Sequence, residues 1–174
     1  MADLYLIPSG PRPTTASFAV VALVAATIKT ILQVKLGAST VIRPKIVEWG
    51  VSFDAAADAA KVKCELLSTK TVGATVTEHI ASGIINLDPL GAAPTDDFPF
   101  AFTAAGDETG YDATAEGTIT DTRPFDIQFV SPAGAYVKQW PLGREPSFKA
   151  DEFVRIRCNA PAGVNVYGYM VVEV

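Results

Sequence analysis

The stretch from residue 42 to 69, IRPKIVEWGVSFDAAADAAKVKCELLST, restricts the fold more than any other part of the chain. Val47, Trp49, Val51 and Phe53 fall on alternate positions, with Glu48, Gly50 and Ser52 between them. After DAAADAA the alternation resumes, with Val62, Cys64 and Leu66 apolar and Lys61, Lys63 and Glu65 polar. Successive strand side chains point to opposite faces, so each run has one apolar face and one wet face, as a half-buried sheet requires. The seven-residue connection 54–60 lets the two strands pair as an antiparallel hairpin, and a longer-range pairing stays open.

The same period recurs about every ten residues, and no long stretch shows helical spacing. Ile28, Leu32, Val34 and Leu36 alternate with Lys29, Gln33 and Lys35, and TVGATVTEHIASGI and GTITDTR follow. In FDIQFV, Phe125, Ile127 and Phe129 are expected inward. In FVRIRCN, Val154, Ile156 and Cys158 are expected inward, with Phe153, Arg155 and Arg157 on the other face. AYVKQW and VNVYGYMVVEV complete eight or nine expected strands, the last tying the C-terminus into a sheet. Thirteen Gly and twelve Pro, scattered, supply turns. The expected fold is all-β, an antiparallel β-sandwich of jelly-roll type. Residues 18–174 form one domain, and a chain of 174 residues can bury about 70% of its unfolded surface. Cys64 and Cys158 lie in the apolar phase and read as buried thiols; a disulfide requires their Cα atoms within about 7 Å.

Residues 1–17, MADLYLIPSGPRPTTAS, read as an extended N-terminal arm, because Pro8, Pro11 and Pro13 forbid helix. The arm either folds back on its own domain or lies on a neighbour. FAVVALVAA at 18–26 is too short to span a bilayer, which needs about 20 apolar residues. Arg12 is the only basic residue before it, so it does not read as a signal peptide. It reads as the entry to a buried strand in a protein made in the cytoplasm.

Residues 86–116 break the pattern with Pro89, Pro94 and Pro99, and read as a long acidic excursion in which Phe98, Phe100 and Phe102 pack down. From 71 to 122 there is no Lys or Arg but nine acidic residues, so this window carries −9 and the rest of the chain +4. It reads as a solvated acidic surface.

His79 is the only histidine, it stands in a polar strand context, and no nucleophile elbow accompanies it. One histidine and two distant cysteines lack zinc-ligand spacing, and there is no phosphate-cradling loop. Asp96 and Asp97 with DETGYDATAE supply oxygen ligands suited to calcium, without EF-hand spacing. A pI near 4.8 with no basic cluster disfavours nucleic acid. No cofactor, metal or catalysis is expected. Arg155 and Arg157 read as partners for acidic groups of this or another subunit.

KIVEWGVSFDAAADAAKVKCELLSTKT at 45–71, followed by DETGYDATAEG, resembles small proteins encoded among the head genes of tailed bacteriophages, the capsid decoration or cement proteins. The resemblance covers about a third of the chain and transfers no functional residue. It implies a β-sandwich virion protein on the capsid outer surface, bound to the major capsid protein as a homo-oligomer, with a trimer expected. Leu4, Tyr5, Leu6, Ile7 and Arg12 of the arm, with Tyr167 and Tyr169, are the expected partner contacts. No contact with nucleic acid or membrane is expected. The alternative is a carbohydrate-binding or adhesion module of a phage particle, with Trp140, Tyr167 or Tyr169 as an aromatic platform.

Overall fold

The computed structural model describes residues 3–38, 41–55, 60–95, 98–102 and 107–174. The strands are β1 Leu4–Pro8, β2 Val21–Leu23, β3 Ile28–Lys35, β4 Lys45–Phe53, β5 Val62–Thr71 and β6 Thr75–Glu78. They continue with β7 Ile85–Asn86, β8 Gly110–Ala115, β9 Ile119–Val130, β10 Ala135–Gln139, β11 Phe153–Asn159 and β12 Val164–Glu173. One 3-10 turn, Ala81–Gly83, interrupts them. Sheet A runs β10-β4-β12-β1-β7, with β2 also on β12, and sheet B runs β6-β8-β3-β11-β5-β9. The two antiparallel sheets pack face to face as an all-β sandwich.

Alternation builds the core. Leu66, Ile156 and Leu32 lie side by side on β5, β11 and β3, each fully buried. Trp49, Ile7, Val166 and Met170 face them from sheet A. Cys64 sits opposite Cys158 on neighbouring strands, both as buried free thiols, with the Cys158 Sγ–H directed at Cys64 Sγ 3.9 Å away.

Three expectations fail here, and one open alternative is decided. First, β4 and β5 do not form a hairpin: β4 pairs with β10 and β12, and β5 with β11 and β9, so the connection crosses between sheets. Residues 56–59 of it lie outside the described residues. Second, a β-bulge shifts the phase of β4. Val171 faces Glu48 but Val172 faces Ile46, so Val47 is the extra residue and Ile46 takes the core position. Third, Ile127 and Phe129 point outward, 47% and 65% exposed, and Phe125 is only half-buried. The register sets this: the inward Val62, Cys64 and Leu66 pair with Val130, Gln128 and Asp126, and Phe125 is the extra residue of a second bulge. Asp126 is tolerated inside because Trp49 Nε1–H (3.3 Å), Tyr136 O–H (2.8 Å) and Gln128 Nε2–H (2.9 Å) donate to it, with Lys138 Nζ at 3.4 Å. Burial raises the Asp126 pKa, but the Gln128 and Tyr136 donors and Lys138 outweigh it and hold the carboxyl below its usual value.

Fourth, of the two alternatives for the N-terminal segment, residues 4–8 fold back on their own domain and form a sheet strand. β1 is hydrogen-bonded to β12 on one side and β7 on the other. β1 lies along Tyr169–Glu173 of β12 and β2 along Val164–Val166, while β4 takes the opposite edge. The two short strands therefore act as one interrupted strand, and residues 9–20 leave the sheet between them. β12 offers an unpaired row of backbone groups on that side, and β1 satisfies them. Of the long excursion, Phe100 and Phe102 are buried but Phe98 is 48% exposed, and its last residues form β8.

The bulge has a direct test. Ile46→Ala should cost about 2–5 kcal/mol and Trp49→Ala about 3–5 kcal/mol of unfolding free energy in urea titrations. Val47→Ala should cost less than about 1 kcal/mol; equal losses at 46 and 47 would contradict the register.

Candidate functional site

The two outward faces of the sandwich are treated differently. Across the middle of sheet B, Gln33, Arg155 and Leu67 are neighbours facing away from the core, yet all are buried. Chain from the acidic window covers them. The Arg155 guanidinium donates to the carbonyls of Val72 (2.7 Å) and Glu116 (2.9 Å) and lies 3.8 Å from the Glu116 carboxylate. That carboxylate also accepts from the Thr30 amide (2.5 Å) and hydroxyl (2.6 Å). Gln33 accepts from the Ala74 amide at 2.8 Å and donates to the Glu108 carbonyl at 2.9 Å. Burial lowers the Arg155 pKa to about 10 against the pull of Glu116, so it stays charged at neutral pH. Asp112 pairs with Lys29, Asp107 with Lys35 and Asp121 with Lys70. Asp107, Asp112, Glu116 and Asp121 of the acidic window thus meet basic partners from outside it, while the Asp107, Asp112 and Asp121 side chains stay exposed to solvent. Arg157 pairs with Glu65 of the same chain at 2.7 Å.

Among the described residues, Phe18 is the residue outside the strands seen packing on the aromatic rows of sheet A. Strand alternation on β1 sends Tyr5 and Ile7 into the core and leaves Leu4 and Leu6 half-buried on the outer face. On β12, Val166 and Met170 point in and Tyr167 and Tyr169 point out. Register places Val137, Gly50, Tyr169 and Pro8 in one outward row, and Gln139, Glu48, Val171, Leu6 and Ile85 in the next. The Tyr169 ring lies flat over Gly50, where an added Cβ would come within 2.6 Å of the ring. Its hydroxyl donates to Glu48 Oε1 at 2.5 Å. Tyr167 stacks beside it, centroids 6.3 Å apart and planes at 26°, and Phe18 meets Tyr167 edge-on at 4.8 Å. Burial, then Glu48, raise the Tyr169 pKa, so the hydroxyl remains a donor across the neutral range.

Of the expected contact residues, Leu4, Leu6, Tyr167 and Tyr169 therefore share one face. Tyr5 and Ile7 do not reach it: both are core residues, and the Tyr5 hydroxyl donates to the Ala92 carbonyl. Arg12 is exposed and lines a separate pocket with His79. Trp140 packs against the core margin with Lys138 Nζ 5.4 Å above its ring. Phe18, Glu48, Gly50 and Val137 belong to the face but were not anticipated. A glycine inside a strand marks close approach of another group, so Gly50 carried a usable signal.

His79 is buried, and its Nε2–H donates to the Pro8 carbonyl at 2.8 Å, which leaves Nδ1 as an acceptor. Among the described residues, no group of three or more His, Cys, Asp or Glu is arranged to hold a metal ion. Asp96 and Asp97, whose oxygens would have suited calcium, lie outside the described residues. No helix among the described residues is long and apolar enough to cross a membrane. No family model, curated protein or solved structure matches the chain.

Burial lowers the His79 pKa from the usual 6.5 to about 4, with the Pro8 hydrogen bond opposing. Its neutral form is favoured in the fold, so its contribution to stability is complete above pH 6.5 and is lost as pH falls through about 4. Between pH 7 and 4, the wild type should lose ~3 kcal/mol relative to His79→Gln in urea titrations. A pH-independent difference between the two proteins would contradict a buried neutral imidazole.

Proposed function

We propose that this protein is a structural virion protein that decorates the outer surface of a tailed-phage capsid, binding the major capsid protein through the outer face of sheet A. The observation that carries the reading is the ordered outer face of sheet A: the middle of sheet B is covered by its own chain, leaving Ile127 and Phe129 exposed at its β9 edge, whereas sheet A presents a supported aromatic and aliphatic surface. Tyr167, Tyr169, Leu6 and Val137 on a stiff sheet lose little side-chain freedom on docking, and aromatics are enriched at such interfaces. Each apolar side chain covered there contributes roughly 1.5–3 kcal/mol before ordering costs. Repetition in a homo-oligomer, proposed as a trimer, multiplies modest single contacts. The fold is proposed to be of jelly-roll type. The resemblance of residues 45–71 to decoration proteins supports the same role.

The contact proposed here moves from the N-terminal segment to the sheet, because Tyr5 and Ile7 are committed to the core. The outward rows named above hold Glu48 but no Lys or Arg, so attachment should depend weakly on ionic strength. Tyr167→Ala with Tyr169→Ala should reduce occupancy on particles at least tenfold at both 50 mM and 500 mM salt, at unchanged protein stability. Full occupancy of the double variant at low salt would refute docking through this face. The same tyrosines would suit a sugar ring in a carbohydrate-binding module; saturable glycan binding in the absence of particles, lost in the double variant, would favour that reading.

A further inference from the structure

The residues that leave sheet A between β1 and β2 do not close over nothing. Residues 11–14, the end of β6, the 3-10 turn and Tyr111 of β8 line an open pocket of about 600 Å³. This lies within the range of about 300–1,000 Å³ typical of small-molecule sites. His79 and Gly83 form its buried part; Arg12, Glu78, Ile80 and Ser82 are exposed around it. The Tyr111 ring packs against His79 with centroids 4.8 Å apart.

The polar groups define what can enter. With Nε2–H committed to Pro8, His79 presents Nδ1 as a lone-pair acceptor. Gly83 lies beside that atom, and a Cβ there would stand 3.2 Å from it. Among the described residues, Arg12 and Glu78 make no ion pair. An anion would meet Glu78 and an imidazole without a free N–H. A divalent cation would find one nitrogen and one carboxylate, opposed by the Arg12 charge. A neutral ligand with several hydroxyls satisfies the set: hydroxyls donate to Nδ1 and Glu78 and accept from Arg12 and Ser82. Its C–H face would lie against Tyr111, Pro11 and Ile80.

We propose that this pocket, built around the acceptor Nδ1 of His79 and flanked by Arg12, Glu78 and Tyr111, is a binding site for a short neutral saccharide. The site shares no residue with the tyrosine face of sheet A, so it stands or falls independently of capsid docking.

The test uses the full chain and a panel of neutral mono- and oligosaccharides of glucose, galactose, mannose and N-acetylglucosamine. Because the chain has a single histidine, its imidazole gives one Nδ1 resonance. At least one panel member should bind saturably and shift that resonance. Arg12→Ala, on an exposed segment, and Gly83→Ala should each weaken binding at least tenfold, while Tyr167→Ala leaves it unchanged. Absence of binding by every sugar at 10 mM would overturn the proposal. So would binding that survives Arg12→Ala with the imidazole signal unmoved. Binding of proline-rich peptides but no sugar, tested in the same format, would reassign the pocket to a peptide and likewise overturn it.

Discussion

A guanidinium buried in the outer layer of sheet B governs much of what surrounds it. Arg155 is fully shielded from solvent, and a charge taken out of water costs several kcal/mol unless partners replace the lost hydration. Those partners come from the chain segments around Val72 and Glu116, which must lie across the sheet to reach it. Glu116 in turn holds the amide and hydroxyl of Thr30, so a single carboxylate joins the covering segment to β3 and stands beside the guanidinium of β11. Among the described residues the Nε of Arg155 has no hydrogen-bond partner, so the exchange is incomplete, and loss of either carbonyl would leave a buried charge still less satisfied.

The cover over sheet B makes the sandwich asymmetric, and that asymmetry underlies the proposed docking role. On sheet A the order of the outward layer comes from local packing. Tyr169 rests on Gly50, is anchored through its hydroxyl to Glu48, and is flanked by Tyr167, which Phe18 supports in turn. An aromatic surface held in this way offers contact area with little rotamer entropy left to lose, which favours binding to a rigid partner.

The core margin shows the same logic with opposite polarity. Asp126 takes an inward place because the register of β9 against β5 leaves it no other, and the indole of Trp49 and the hydroxyl of Tyr136 answer it. The paired thiols of Cys64 and Cys158, by contrast, occupy the deep core as small apolar groups, side by side on adjacent strands. The hydrogen bond to Cys64, then burial, raise the Cys158 pKa well above the usual thiol value, which keeps that sulfur protonated and unreactive as a nucleophile.

The sequence by itself determined the class of fold and the composition of most of the core. Alternation in β5, β11 and β12 was legible because it depends only on the pleat, and it placed Cys64, Ile156 and Met170 inside and Tyr167 and Tyr169 outside. Arg155 and Arg157 could likewise be read as partners of acidic groups. What the tertiary structure decided was pairing. Val47 and Phe125 carry the right chemistry for the core, but each is the extra residue of a bulge, and a bulge reverses the phase only relative to a neighbouring strand that local sequence does not name. Whether residues 4–8 formed an arm or a strand depended on an edge of β12 more than 160 positions away along the chain. The pairing of part of the acidic window was hidden for the same reason, since Lys29, Lys35 and Arg155 lie outside it and meet it only in space. Side-chain alternation is a local property of the backbone, whereas register and charge partnership are properties of two segments at once.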